Sequence, residues 1–235
     1  MTRIIAGVHG GLRLRTPRGE GTRPTSDRVR EALFSALESL HAIEGQHVLD
    51  LFAGSGALGL EAVSRGASSA VLVDPARPAL TALRANAAAV AGDRVVVAGQ
   101  TAQSYLQRAS QPGQPAALRR PGQPGRPLQS GPSSQLGEDG RIPQSGEATR
   151  PMQSGKSNGF GLVFIDPPYD LSEQALSEVL TALLPLLSDE AVVVVERSAR
   201  SPQPEAPTGL ETFRRKTYGE TALYYLEPVP PDADG

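Results

Sequence analysis

The sequence contains no cysteine, which excludes disulfide bonds, thiolate metal ligands and a cysteine nucleophile. Its three histidines, His9, His41 and His47, lack the spacing of metal ligands, so no metal site is predicted. No apolar run is long enough to span a membrane, and the first residues lack the apolar stretch of a secretion signal. These absences predict a cytoplasmic protein with no membrane partner, and we also expect a monomer.

Lysine is almost missing as well, with only Lys156 and Lys216 among 23 basic residues. Arginine supplies the rest, and seven arginines fall within residues 1–30 beside only Glu20 and Asp27. This segment therefore carries a net charge of +5, and the remainder −7, within a total of −2. A basic arm on an acidic body indicates a polyanionic partner, although a solvated basic terminus explains the same composition.

Short apolar runs alternate with helical patterns from residue 47 onward. Such runs are typical of strands whose two faces are both covered by helices. The alternation predicts an α/β fold with a doubly wound, mostly parallel, Rossmann-like sheet. Two final runs at 210–217 and 221–227 are too close for a parallel return, so they predict a C-terminal antiparallel hairpin. The expected strands are 48–52, 70–73, 94–97, 162–165 and 191–195, and the expected helices are 56–64, 78–90, 101–108 and 172–187.

The N-terminal and central segments depart from this pattern. Residues 2–16 predict two short strands around a glycine-rich turn, followed by a helix with Thr25 as its N-cap. Residues 110–157 are rich in Pro, Gly, Gln and Ser and bury too little apolar surface to offset the entropy of ordering, so they predict a disordered low-complexity insertion. The predicted organisation is a hairpin-and-helix extension at 1–45, a core at 46–109 and 158–228, and the insertion at 110–157.

The first chemical motif runs from Asp50 to Gly59, where a predicted strand turns into a helix. Gly54, Gly56 and Gly59 spell G-x-G-x-x-G, and Asp74 ends the next strand, so a nicotinamide or flavin enzyme is one interpretation. Asp50 favours another, because a carboxylate at this turn would repel a pyrophosphate but suits an ammonium group. S-adenosylmethionine has that ammonium and no phosphate, so the motif favours this cofactor.

The second motif, Asp166-Pro167-Pro168-Tyr169, directly follows the predicted strand at 162–165. Because ligands in such sheets bind beyond the carboxyl ends of the strands, both motifs are expected in one crevice. Two prolines stiffen the backbone and leave carbonyl oxygens as fixed acceptors. Asp166 and such a carbonyl can accept the two hydrogens of an amino group, and Tyr169 offers a flat face for stacking a base. The motif therefore predicts methyl transfer to an amino nitrogen on a planar group.

Both motifs resemble those of the amino-group methyltransferases of Rossmann-like class I. The segments Arg-Ile-Ile-Ala-Gly at 3–7 and Arg-Pro-Thr-Ser-Asp-Arg-Val-Arg-Glu-Ala-Leu-Phe at 23–34 resemble the bacterial 16S ribosomal RNA guanine-N2 methyltransferases. The likeness covers about residues 2–109 and 160–227. It implies methyl transfer from S-adenosylmethionine to guanine N2 of small-subunit ribosomal RNA, within a 30S particle or an assembly intermediate.

The motifs and the resemblance together assign roles to individual residues. The expected catalytic residues are Asp166, Pro167 and Tyr169. The residues expected to bind S-adenosylmethionine are Asp50, Ala53, Gly54, Ser55, Gly56, Asp74, Thr101 and Ala102. Among these, Asp74 is expected at the ribose and Thr101 beside the adenine, where the family often has Asn or Asp. The residues expected to contact nucleic acid are Arg13, Arg15, Arg23, Thr25, Arg28 and Arg30.

Other interpretations stay open from the residues alone. An adenine-N6 nucleic-acid methyltransferase shares both motifs, and a nicotinamide-dependent oxidoreductase shares the glycine-rich turn. A non-catalytic ribosome-assembly factor would bind cofactor and RNA without turnover, although such a binder has no need of the tetrapeptide. Glu196, after the last predicted parallel strand, either faces the crevice or is a solvated carboxylate at a strand end.

Overall fold

The computed structural model describes residues 2–17, 26–111, 159–168 and 170–229. Most of the predicted insertion, 112–157, lies outside the described residues, as do Arg23, Thr25 and Tyr169. Within the described ranges, no helix is both long and apolar enough to cross a membrane.

A 7-stranded sheet with the order β3-β2-β1-β4-β5-β7-β6 forms the centre of the fold. Its strands are β1 (His47–Asp50), β2 (Ser69–Val73), β3 (Val95–Ala98), β4 (Phe160–Ile165), β5 (Leu187–Ser198), β6 (Leu210–Tyr218) and β7 (Thr221–Pro228). Pairing is parallel from β3 through β5, whereas β7 runs antiparallel to both β5 and β6. The mostly parallel sheet and the C-terminal antiparallel hairpin are therefore confirmed.

Helices cover both faces of this sheet. They are α1 (Asp27–Ser39), α2 (Ala57–Ser64), α3 (Arg77–Val90), α4 (Ala102–Ala109) and α5 (Glu173–Leu183). Apolar side chains of α1, α2 and α3 pack with alternate strand residues on what we call the first face. Those of α4 and α5 pack on the second face. Double coverage explains why the parallel strands are apolar runs rather than alternating patterns.

Two predicted helix boundaries are wrong. The helix expected at 172–187 ends at Leu183, because Pro185 lies in a 3-10 turn and β5 already begins at Leu187. The N-cap of α1 is Ser26 rather than Thr25: the Ser26 hydroxyl accepts a hydrogen bond from the Val29 N–H at 3.3 Å. Serine and threonine are both good N-caps, so local sequence does not separate these neighbours.

The N-terminal segment folds back on itself and shares the core. Arg3 and Arg13 form an antiparallel bridge, and the Ile4 N–H donates to the Leu12 carbonyl at 2.9 Å. The expected hairpin is present, although its pairing is too brief to form named strands. Ile4 and Leu14 are buried in the same cluster as residues of β1 and α2, so the extension packs as part of the core.

Buried polar side chains of α2 fasten this segment. The Glu61 carboxylate is 0% exposed and accepts the N–H groups of Ile5 at 2.6 Å and Ala6 at 2.9 Å. The Ser64 hydroxyl donates to the Ala6 carbonyl at 2.6 Å and accepts the His9 N–H at 3.0 Å. Because α2 begins directly after the glycine-rich turn, these bonds tie the N-terminal arm to the element that positions that turn.

Gly7 marks the closest approach of the arm to α2. It adopts a φ of +81°, and a Cβ built there would lie 1.9 Å from the Ser64 backbone oxygen. Gly11 has a similar φ of +87° but meets no atom within 4 Å. The two glycines share a backbone conformation and differ in the space beside them.

We expect Gly11→Ala to lower the free energy of unfolding by about 1–2 kcal/mol, the cost of a left-handed alanine. Gly7→Ala should cost at least about 2 kcal/mol more, because the clashing atom is backbone and the arm must lift from α2. Urea unfolding of both variants measures the difference. Equal losses would contradict the close docking of the arm.

Candidate cofactor and amino-group site

Four acidic side chains lie at the carboxyl ends of four neighbouring strands. Asp74 follows β2, Asp50 ends β1, Asp166 follows β4, and Glu196 lies in β5. Ile165 and Val195 are register partners, so Asp166 and Glu196 lie side by side. Residues two positions earlier in each strand pack on the first face, and side chains alternate, so all four acids face that side. We call this set the carboxylate row.

Asp50 is the most buried member of the row, with 1% of its surface exposed. Its Oδ2 accepts the Gly59 N–H of α2 at 3.1 Å, whereas its Oδ1 is buried without a partner among the described residues. Burial raises the pKa of Asp50 to about 7; the backbone N–H groups of Gly59 and Phe52 oppose this rise, and the charge of Asp74 reinforces it. An unsatisfied buried oxygen next to a second carboxylate suits a ligand that brings a positive donor.

The glycine-rich turn leaves room for a ligand beside this acid. Gly54 has a φ of +54°, and a Cβ placed there would meet nothing within 4 Å. Its N–H donates to Oδ2 of Asp74 at 2.9 Å, and the other oxygen of Asp74 accepts the Ala76 N–H at 2.8 Å. Gly56 also has a positive φ, but a Cβ there would lie 2.9 Å from Leu83. Thus Gly54 borders open space, whereas Gly56 lets the turn pack on α3.

Asn86, which no sequence motif marks, joins the basic arm to the turn. It is 3% exposed and lies in α3. Its Nδ2 donates to the Ser55 carbonyl at 2.8 Å and to the Arg15 carbonyl at 2.9 Å, while its Oδ1 accepts the Arg15 N–H at 2.9 Å. The Asn86 side chain therefore holds the backbone of Arg15, a predicted RNA contact, in a fixed position relative to the backbone of Ser55, a predicted cofactor contact.

Asp166 lies where the tetrapeptide leaves β4. Burial and the neighbouring carboxylates of Glu196 and Asp50 raise the pKa of Asp166 well above its usual range. Pro167 is buried, and the exposed Pro168 turns the chain by accepting the Leu171 N–H at 3.0 Å. The expected carboxylate thus lies at the carboxyl edge of the sheet beside Glu196, while the expected stacking residue Tyr169 lies outside the described residues.

Arg197 supports the loop that follows Pro168. This buried arginine of β5 donates to the Leu171 carbonyl at 3.3 Å and forms an ion pair with Glu173. Arg197 follows Glu196 and lies on the second face, so adjacent residues of β5 point to opposite faces: Glu196 lies beside Asp166, and Arg197 contacts the loop after the tetrapeptide. No sequence motif marks this contact, because its partners are 24 and 26 residues away.

The remaining cofactor-binding predictions lie at the same sheet edge. Ala53 is buried in the turn after β1. Thr101 is exposed and caps α4 by accepting the Ser104 N–H at 3.2 Å, and Ala102 beside it is buried. The Thr101 hydroxyl is therefore already engaged by the helix, which leaves it little freedom to act as an adenine partner.

The predicted RNA-contacting arginines divide into two groups. Arg13, Arg15 and Arg28 are exposed. Arg30 is 1% exposed: its guanidinium donates to the Arg3 carbonyl at 2.8 Å and pairs with Asp27 at 2.7 Å. The prediction that Arg30 contacts RNA therefore does not fit the fold, because tertiary packing has enclosed the side chain.

The fold is that of the Rossmann-like methyltransferases. The chain belongs to the family described as Conserved hypothetical protein 95, whose model matches residues 2–117 and 137–227. The family model leaves residues 118–136 unmatched, and it matches both ends of the predicted insertion, at 110–117 and 137–157.

Relatives match nearly the whole chain. "Ribosomal RNA small subunit methyltransferase D" of Escherichia coli (strain K12) is 32% identical over 230 residues, covering 96% of this chain and 90% of the relative. "Putative rRNA methyltransferase YlbH" of Bacillus subtilis (strain 168) is 29% identical over 223 residues, covering 94% and 96%. The solved structure of "Putative methyltransferase yhhF from Escherichia coli" superposes with a TM-score of 0.67 at 28% identity, covering 97% of both chains.

The raised pKa of Asp50 predicts a pH-dependent stability. Between the usual Asp pKa near 4 and about 7, the folded state binds more protons than the unfolded state, so the free energy of unfolding falls as pH rises. The contribution of Asp50 amounts to on the order of 4 kcal/mol over that window. Asp50→Asn should remove it, because an amide does not titrate. Urea unfolding between pH 5 and pH 8 measures the slope, with exposed Asp170→Asn as control. An unchanged slope in the Asp50 variant would refute the assignment.

Asn86→Asp tests the link between the arm and the glycine-rich turn. The substitution keeps the size but replaces two N–H donors with an acceptor facing the Ser55 and Arg15 carbonyls. We expect S-adenosylmethionine affinity to fall about tenfold or more, the equivalent of one or two lost hydrogen bonds. Ser64→Ala is the matched control, because it loosens the arm without touching the turn. Calorimetric titration of both variants with S-adenosylmethionine measures the difference. Equal affinities of the Asn86 and Ser64 variants for the cofactor would contradict the link between arm and turn.

Proposed function

We propose that this protein transfers a methyl group from S-adenosylmethionine to the exocyclic N2 of a guanine in small-subunit (16S) ribosomal RNA. The observation that carries the proposal is the position of Asp166 in the carboxylate row, one strand away from Asp50 and the glycine-rich turn. The names of the full-length relatives support ribosomal RNA as the substrate. The choice of guanine N2 rests on the resemblance of the segments at 3–7 and 23–34.

S-adenosylmethionine fits the residues at the turn. The partnerless Oδ1 of Asp50 suits its ammonium, and the open space at Gly54 lets a ligand approach the backbone closely. Asp74 lies at the end of β2, where the ribose hydroxyls would be bound. When bound, the cofactor supplies a methyl group already activated by its sulfonium. A pyrophosphate would meet two carboxylates here, which disfavours a nicotinamide cofactor.

Asp166 and Pro167 orient the amino group. The Asp166 carboxyl and the Pro167 carbonyl accept the two N–H hydrogens of the base, which directs the nitrogen lone pair toward the methyl group. Positioning and fixed electrostatics supply most of the rate. Asp166 does not need to remove a proton beforehand, because the surplus proton leaves the methylated nitrogen afterwards. The Asp166 carboxyl, whose pKa is raised by burial and by the neighbouring charges of Glu196 and Asp50, is suited to receive it.

Asp166→Ala should lower the rate of methyl transfer by about a thousandfold or more, while S-adenosylmethionine affinity changes little. The physical reason is that the amino group loses its acceptor, whereas Asp50, Gly54 and Asp74 remain. Labelled S-adenosylmethionine and undermethylated 30S particles provide the assay, followed by nucleoside analysis. Asp170→Ala, an exposed acid in the same loop, serves as control and should retain activity.

The identity of the labelled nucleoside separates the candidate reactions. N2-methylguanosine at one site supports the proposal, whereas label in adenosine or DNA supports the adenine-N6 alternative. Cofactor and RNA binding without any turnover would indicate an assembly factor. Normal turnover by the Asp166 variant would contradict the assigned role of the tetrapeptide.

A further inference from the structure

The edge strand β6 carries three consecutive basic residues, Arg214, Arg215 and Lys216, which the proposed site does not use. A β-bulge shifts the register between Thr212 and Arg214. Thr212 pairs with Leu226 of the second-face cluster, whereas Arg214 pairs with Tyr225 of the first-face cluster. Without the extra residue, strict alternation would turn Arg214 and Lys216 to the second face. The bulge therefore brings these two cations to the face that carries the carboxylate row.

Lys216 lies at the same height along the strands as Asp166. It is the register partner of Leu223 in β7, which in turn is the partner of Glu196 in β5. Glu196 adjoins Asp166, so Lys216 and Asp166 are three strands apart along one line across the sheet. At about 4.8 Å per strand this is roughly 14 Å. A base bound at Asp166 would leave its flanking phosphates within reach of a lysine at that distance.

The charges on β6 are available for an external anion. Among the described residues, no ion pair joins Arg214, Arg215 or Lys216 to an acid. The guanidinium of Arg214 lies 5.9 Å from the Tyr225 ring centroid, and that of Arg215 lies 5.4 Å from the Tyr224 ring centroid, which orients both groups without neutralising them. Lys216 is exposed.

The carboxylate row creates a need for such cations. Its acids occupy β2, β1, β4 and β5, and they repel a phosphate backbone that must approach them. The N-terminal arm supplies exposed arginines on one side of the row, where Arg15 is held next to Ser55. On the other side, the sheet ends with β7 and β6.

We propose that Arg214 and Lys216 form a second phosphate-contacting surface for the RNA substrate, on the side of the carboxylate row away from the N-terminal arm. This inference rests on the proposed function in that RNA is the polyanion. Arg215 points to the opposite face and takes no part.

Filter binding of in vitro transcribed 16S ribosomal RNA at several salt concentrations tests the surface. Arg214→Gln/Lys216→Gln should reduce the steepness of log affinity against log salt by about 1.4, or roughly 0.7 for each lost contact to single-stranded nucleic acid. The KM for 30S particles should rise while kcat stays within about twofold, because the reacting groups are untouched. Arg215→Gln removes the same charge from the same strand on the other face, and it should leave the slope and KM unchanged.

Several outcomes would overturn the inference. One is a double variant with the wild-type slope and KM; another is an equal effect of Arg215→Gln, which would show that net charge alone matters. A third is self-association of the double variant, seen by light scattering, with unchanged RNA affinity, because the charges would then only protect an open strand edge. If the wild type transfers no methyl group to RNA, the proposed function fails, while the salt slopes still decide whether β6 contacts phosphate.

Discussion

The repulsion among four carboxylates at one sheet edge is the constraint on which the rest of the site depends. Parallel register places the acids on one face, and burial removes the water that would screen Asp50 and Asp166 from their neighbours. Backbone N–H groups relieve part of the cost, since Gly54 and Ala76 donate to Asp74 and Gly59 donates to Asp50. The remaining acceptors favour ligands that bring N–H donors or positive charge. A sulfonium cofactor with an ammonium group and an exocyclic amino group both meet that condition.

The same constraint explains why the N-terminal arm is fastened so closely. Because the carboxylate row repels the phosphates of a polyanionic substrate, the contacts that bind such a substrate must come from residues on either side of the row. Glu61 and Ser64 bind the backbone of the arm to α2, and Asn86 binds it to the turn after β1. These are fixed hydrogen bonds to main-chain groups rather than surface ion pairs. Hydrogen bonds therefore join the arm to the turn, and in the proposed function they would give an RNA contact on the arm a defined position relative to the cofactor.

Much of the fold followed from the sequence, because short apolar runs, glycine-rich turns and connection lengths are local signals. The parallel sheet and the terminal hairpin were predicted on that basis, as was the convergence of Asp50 and Asp166 at one edge. Long-range contacts left no such signal. Asn86 lies in an alanine-rich helix with partners 31 and 71 residues away, and Glu196 was ambiguous until the register of β4 and β5 placed it beside Asp166. The bulge in β6 depends on pairing with β7, so the faces of Arg214 and Lys216 were not predictable from alternation.

Composition also overstated the basic surface of the arm. Arg30 is enclosed and paired with Asp27, and Arg3 lies 3.4 Å from the same carboxylate. Similarly, Arg197 is paired with Glu173 and donates to the Leu171 carbonyl. Arg30, which was predicted to contact RNA, and Arg197 each join an acid and a main-chain carbonyl, since a guanidinium has enough donors to do both at once. Among the described residues predicted to contact RNA, Arg13, Arg15 and Arg28 are therefore the exposed cations, whereas Arg30 is buried. A substrate backbone held beside a carboxylate row then needs cations from a second element, and β6 is the edge strand at the far side of that row.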